Sequence, residues 1–255
     1  MLTVDLLHEV ELGVWKALLT HLIRMLHVCG GDKVHQFDER YVLLAHGFNN
    51  SPRISFRTVP AFSDDIRRFE GNVSEMKRLA GHDLEDVLQV HGLIDIEATL
   101  LIAMQCVIPC IEGLFPEPHN TSVIELLFIF ATWHALAKLH THTDTSLRLL
   151  DTATTALGNA LRYFVRITCP EFDTFETNSK YTKRQRQQAA AAATSSMLNA
   201  GPSSAGRQRR TFSLKTIKLH FLGDYVLCIK MFGTTDNYNS ALVRKFLTLF
   251  THDQY

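Results

Sequence analysis

The chain has 255 residues, carries equal numbers of acidic and basic side chains, and is 46% hydrophobic. That length accommodates one large domain or two modest ones, and the apolar share suffices for a packed core. The neutral balance excludes nucleic-acid binding driven by global charge, so any such activity must rest on local clusters.

Taken in chain order, Leu7, Val14, Leu18, Leu22 and Met25 fall close to helical spacing, and Gly30 and Gly31 follow. The pattern predicts an amphipathic helix over Val4–Val28 with a glycine stop. A short strand over Leu2–Val4 can precede it. Residues 32–63 lack a clear period, and His46, Gly47, Asn49, Asn50, Ser51, Pro52 and Pro60 mark a loop region. Asn72 and Glu75 fit a capping arrangement for a helix bearing Met76, Leu79, Leu84, Val87 and Leu88. Ile94 to Leu114 reads as a buried helix interrupted near Pro109, closed by a turn over Pro116 to Asn120. Ser122 and Glu125 form a capping-box pattern before a helix that runs through Trp133 and His134 to His140. Asp144 can cap the next helix, with Leu147, Leu150, Leu157, Leu161 and Phe164 on its apolar face and Pro170 at its end. Residues 177–213 contain an alanine run, serines, glycines and basic residues, and read as a disordered basic linker with room for a short helix over the alanines. Helical spacing returns from Lys215 to Phe232. The predicted fold is mainly α. A helical domain over 1–176 is followed by the 177–213 linker and a C-terminal helical segment over 214–255.

Other features exclude or weaken several function classes. Asp5, Glu9 and Glu11 are unlike the basic-then-apolar start of a secretion signal. The most apolar stretch, Val90 to Leu114, contains Asp95, Glu97 and Glu112, whereas a bilayer span needs about 20 residues nearly free of charge. The expectation is a soluble intracellular protein with no membrane partner. Five scattered cysteines read as free thiols rather than a disulfide framework. His134, His140 and His142 cluster beside Trp133 but have no cysteine pair at ligand spacing, and Cys106 and Cys110 read as core residues, so no metal site is expected. Asp5 and His8 can bring a carboxylate and an imidazole together on a first helical turn. The plainer reading makes Asp5 an N-cap. Between Thr177 and Lys218 there is no acidic residue. Lys183, Arg184, Arg186, Arg207, Arg209 and Arg210 are the candidate phosphate-binding residues of that stretch, by counterion release with little sequence preference. A nuclear-import signal or a solvated linker would have the same composition.

The run Asp5-Leu-Leu-His-Glu-Val-Glu-Leu-Gly-Val-Trp-Lys-Ala-Leu resembles a segment of the fungal Plavaka and Kyakuja-Dileera-Zisupton type transposases, relatives of the CACTA elements. Further stretches agree: Arg67-Arg68-Phe69 with Asn72-Val-Ser-Glu-Met-Lys, Phe115-Pro-Glu-Pro-His-Asn, Trp133-His-Ala-Leu-Ala-Lys-Leu, Thr152-Ala-Thr-Thr-Ala-Leu-Gly and Phe232-Gly-Thr-Thr-Asp-Asn-Tyr-Asn. The resemblance implies a DDE catalytic core of ribonuclease-H type interrupted by a helical insertion. Asp5 would correspond to the second catalytic aspartate, His8 would complete its Asp-x-x-His signature, and the helical bulk would be the insertion. Mg²⁺ is implied only for a complete family member. The first aspartate's segment is not in this sequence, and after Asn239 the run departs from the family pattern. Residues 42–55 and 90–105 are extra to that pattern, as untrimmed introns in a gene model would be.

The expectation is therefore a truncated, transposase-derived protein, inactive alone, with DNA as its partner through weak, sequence-blind contacts. It would be nuclear if functional and cytoplasmic otherwise. The alternative is a helical protein-interaction scaffold or regulator. An active metal-dependent nuclease is disfavoured, because one carboxylate cannot hold two Mg²⁺ ions about 4 Å apart.

Overall fold

A computed structural model describes residues 4–40, 107–194 and 206–238. The described residues are mainly helical, and their only β pairing is an isolated antiparallel bridge between Phe175 and Arg209. The expected helices around 72–88 and over most of 94–106 lie outside the described residues, as do the stretches 42–55 and 90–105. Leu2 and Thr3 of the expected strand are likewise outside them, while Val4 is buried, non-helical chain.

The chain enters through a π-helical segment, Leu6–Trp15, that runs directly into α1, Lys16–Cys29. Val10, Val14, Trp15, Leu18, Leu22, Met25 and Leu26 form the buried stripe, close to the face predicted from spacing. Gly30 ends the helix at φ +125°, a conformation that costs a side-chain-bearing residue energy and glycine very little. Then α2, Gly31–Glu39, turns back and buries Phe37. A short helix, α3 (Val107–Ile111), contains Pro109.

The centre is the pair α4, His119–Ala137, and α5, Asp144–Tyr163. Phe130 and Trp133 of α4 are fully buried, and the Trp133 indole N–H donates to Thr154 Oγ1 of α5 at 2.8 Å. Each buried large side chain of this kind stabilises the fold by about 2 kcal/mol through lost water contact. By length and composition α4 alone, among the described helices, could cross a membrane, and half of that stretch is buried within the protein.

Two helix starts differ from the sequence reading. The first turn of α4 begins before Ser122, and Ser122 hydrogen-bonds back to the Pro118 carbonyl. Glu117 does the capping instead. Its carboxylate accepts from the Thr121 N–H at 3.2 Å and hydroxyl at 2.9 Å, and these bonds hold its pKa below the ordinary value. For α5 the cap is Thr143, reciprocally bonded with Ser146, and Asp144 is the first helical residue. Such a box stabilises by about 1 kcal/mol. Beyond Tyr163 the chain widens into a π turn, Phe164–Thr168, and then tightens into a 3₁₀ turn, Cys169–Glu171, holding Pro170.

Within 177–213, residues 195–205 lie outside the described residues, and a helix extends over and beyond the alanine run. Asn178–Thr194 forms α6, for alanine is the best helix former and the run prolongs the turn begun before it. Residues 206–213 pack back on the body, with Phe212 buried. The expected 215–232 helix is broken into α7 (Ile217–His220), a 3₁₀ turn (Phe221–Asp224) and α8 (Tyr225–Phe232). Tyr225 of α8 packs edge-on against Trp133, centroids 5.0 Å apart. After it, Gly233 takes φ +89° and the Thr235 hydroxyl donates to the Ala137 carbonyl at 2.9 Å. That bond satisfies an acceptor the end of α4 would otherwise leave unpaired.

Candidate functional site

At the acidic end of the N-terminal helix, Asp5 is both things the sequence offered. Its Oδ1 accepts from the Leu7 N–H at 3.1 Å as an N-cap, and its Oδ2 lies 2.6 Å from His8 Nδ1. Glu9 follows, its carboxyl pushed above the ordinary value chiefly by burial, with the charges of Asp5 and Asp224 adding and Lys218 opposing. Lys218, on α7, donates from Nζ to the His8 carbonyl at 2.7 Å. It crosses the π-helical segment at Gly13, where a Cβ would meet Lys218 Cδ at 2.5 Å. Lys218 thus fastens the C-terminal segment to the first turn.

A two-metal site does not fit these residues. Both oxygens of Asp5 already accept hydrogen bonds. Among the described residues no three His, Cys, Asp or Glu side chains gather as a metal-holding group. Mg²⁺ prefers several hard oxygen ligands in near-octahedral array, and Asp5 with His8 supplies too few of them.

One turn further in, Glu11 Oε1 stands 3.2 Å from His134 Nε2, both side chains almost fully buried. This pair ties the first helix to α4. The other two histidines of the sequence cluster go elsewhere: His140 Nδ1 pairs with Asp236, and His142 Nδ1 contacts Ser146 Oγ at 3.2 Å. The three rings serve three separate contacts, each with its own partner.

The basic residues converge on a carboxylate that sequence reasoning missed. Glu176, 1% exposed, receives Arg184 Nε at 3.1 Å and the Gln208 N–H at 3.0 Å. Arg210 Nη2 lies 4.0 Å away. The Arg184 guanidinium foremost holds its pKa below the usual carboxylate value. Arg207 donates to the Glu176 carbonyl at 3.0 Å, and Arg209 pairs with Asp173. The bonds Glu176 N–H to Gln208 O (2.8 Å) and Arg210 N–H to Thr174 O (2.9 Å) complete a short antiparallel clasp. Of the six candidate phosphate ligands, Arg184, Arg207, Arg209 and Arg210 therefore help to hold the basic arm, which comprises α6 and residues 206–213. Lys183 and Arg186 are exposed on α6.

Comparison of the chain with protein-family models, curated proteins and solved structures gives no match. The geometry of the site therefore carries its functional reading. Glu176 could have been suspected from its position: it is the last acid before the acid-free stretch. Nothing local in the sequence marks Glu11 as the partner of His134, 123 residues away.

Proposed function

We propose that the chain is a helical insertion part of a DDE-type transposase of the Plavaka and Kyakuja-Dileera-Zisupton kind, and that it holds DNA by its phosphates without performing strand chemistry alone. The observation that carries the reading is the folded basic arm. One buried carboxylate, Glu176, organises several arginines, while Lys183 and Arg186 remain exposed on the same helix. A rigid cationic surface binds a polyanion at a lower entropic cost than a loose tail does, and phosphate contacts alone carry no sequence information. Asp5 and His8 supply the family-like signature in a form that caps and orients the first turn.

Mobility-shift assays on several unrelated duplexes should give equal affinities within about threefold. Mg²⁺ or Mn²⁺ should produce no plasmid nicking, with Asp5→Ala indistinguishable from the parent chain. Metal-dependent nicking lost in Asp5→Ala would replace this reading with a nuclease. A second reading, a protein-interaction scaffold, draws on the exposed Ile217, Leu227 and Met231 of α7 and α8. It would be favoured by failure of every duplex to bind.

A further inference from the structure

Acids and bases balance over the whole chain but not along it: all 26 acidic side chains lie outside the acid-free stretch 177–218. Part of that acidic surplus rims a cleft at the start of α4. The cleft has a volume of about 490 Å³, and Glu112, Glu117, Asn120, Ile124, Glu125 and Phe128 are among its lining residues. No lysine or arginine lines it. Its size falls in the range of ligand clefts, roughly 300–1,000 Å³. The rim is fixed by hydrogen bonds: Asn120 Oδ1 accepts from the Gly113 N–H at 2.7 Å, and Asn120 Nδ2 donates to Glu117 at 3.1 Å. Arg40 comes up to the Glu112 backbone carbonyl, while the residue itself stays exposed.

Ile124 and Phe128, one turn apart on α4, give the cleft an apolar floor, and Phe128 is 53% exposed. An apolar floor beneath a carboxylate rim suits the side chain of a lysine or arginine. The methylene stem covers the ring while the cation reaches the carboxylates. A neutral apolar ligand would strip water from the carboxylates without replacing it, and a small cation would leave the aromatic face bare.

The chain itself carries such side chains on a projecting helix. Residues 186–190 of α6 are exposed in succession, more than one full turn, so the helix stands clear of the body there. Lys183 and Arg186 are both exposed, and their spacing of three places them on one helix face. We propose that two copies of this chain associate by docking the Lys183–Arg186 face of α6 from one copy into the cleft of Glu112, Glu125 and Phe128 on the other. Each copy has both surfaces, so a two-fold dimer makes the contact twice. The cleft plays no part in the DNA-holding reading, and the proposal stands without it. Where both bind, duplex DNA competes with the partner copy for the same two cations.

Sedimentation velocity over a concentration series, on the whole chain free of nucleic acid, tests the proposal. The parent should form a reversible dimer that weakens with added salt. Glu112→Lys with Glu125→Lys should weaken association by about tenfold or more, and Lys183→Glu with Arg186→Glu should do the same. The chain carrying all four changes should associate again, because the attraction returns with its signs exchanged. Phe128→Gln alters no charge and should also weaken the dimer. Asp151→Lys, at an exposed position on α5 outside the cleft, should leave it unchanged. All the substituted positions are exposed, so thermal midpoints should match the parent's. A parent that is monomeric at every concentration overturns the proposal, as does a four-fold variant no better associated than either pair. So does a cleft that binds an added arginine-rich peptide while the parent stays monomeric, which would assign it to a basic partner protein.

Discussion

The two ends of the N-terminal helix treat charge in opposite ways. At its start, Asp5 faces His8, Lys218 reaches the His8 carbonyl beside Glu9, and Glu11 meets His134. At its other end, Arg184 and Arg210 gather on the single carboxylate of Glu176, whose charge Arg24 also feels. Balanced charges at the first end join segments far apart in sequence, and their energy is spent on the fold. At the second end several basic side chains meet one buried carboxylate, and the exposed Lys183 and Arg186 lie on the same helix as Arg184. Perturbing each end should therefore give different signatures, stability at the first and ligand binding at the second.

The largest effect is expected at Glu11. Removing one member of a buried hydrogen-bonded pair strands the other, so Glu11→Ala should destabilise the chain by about 4 kcal/mol in denaturant unfolding. Replacing both Glu11 and His134 by leucine should recover much of that. A loss under about 1 kcal/mol for Glu11→Ala would show that the pair does not join the two helices.

His21 comes next. Burial, then Arg24, pushes its pKa down to about 4 from an ordinary value of 6.5. The folded state therefore resists the proton that the unfolded chain accepts. Its contribution is fully present above pH 6.5 and is lost as pH falls toward 4, up to about 3 kcal/mol in all. Unfolding free energies measured from pH 7 to 4 should fall by less in His21→Phe than in the parent. Parallel curves would mean that the ring is not buried neutral.

A smaller effect is expected at the clasp. Glu176→Gln keeps the shape of the side chain and removes the charge that Arg184 and Arg210 share. Trypsin cleavage between Lys180 and Arg210 should then speed up by about tenfold, through easier local opening. Unchanged cleavage would mean that the arm is held by other contacts. The smallest effect belongs to Asp5→Ala, about 1 kcal/mol in thermal unfolding, the usual value of an N-cap.

Much of the helical layout was legible in the sequence because local rules decide it. The apolar stripe from Val10 to Met25, the Gly30 stop and the α5 register all follow from spacing. The misread helix starts share a cause. Ser122 was a sound capping candidate, but Glu117 bonds Asn120 and Thr121 first and sets the start a turn earlier. The described part of the arm was less legible for a different reason. Its composition favours disorder when taken alone, and its order comes from Glu176, Thr174 and Phe212, all tertiary contacts. The Asp5–His8 contact was foreseeable from three-residue spacing on a helix. The gathering of Arg184 and Arg210 on Glu176 was not, because only the folded chain brings the 206–213 segment back beside α6 and Glu176.

The central claim is that the surplus charge of the arm contacts DNA phosphates. The most direct measurement is the salt dependence of duplex binding for the parent chain and for Lys183→Gln with Arg186→Gln. Counterion release predicts that log affinity falls linearly with log salt, and that the double variant has a shallower slope by about 2 on duplex DNA, with unchanged thermal stability. A slope near zero in the parent chain, or identical slopes in the two proteins, would contradict it.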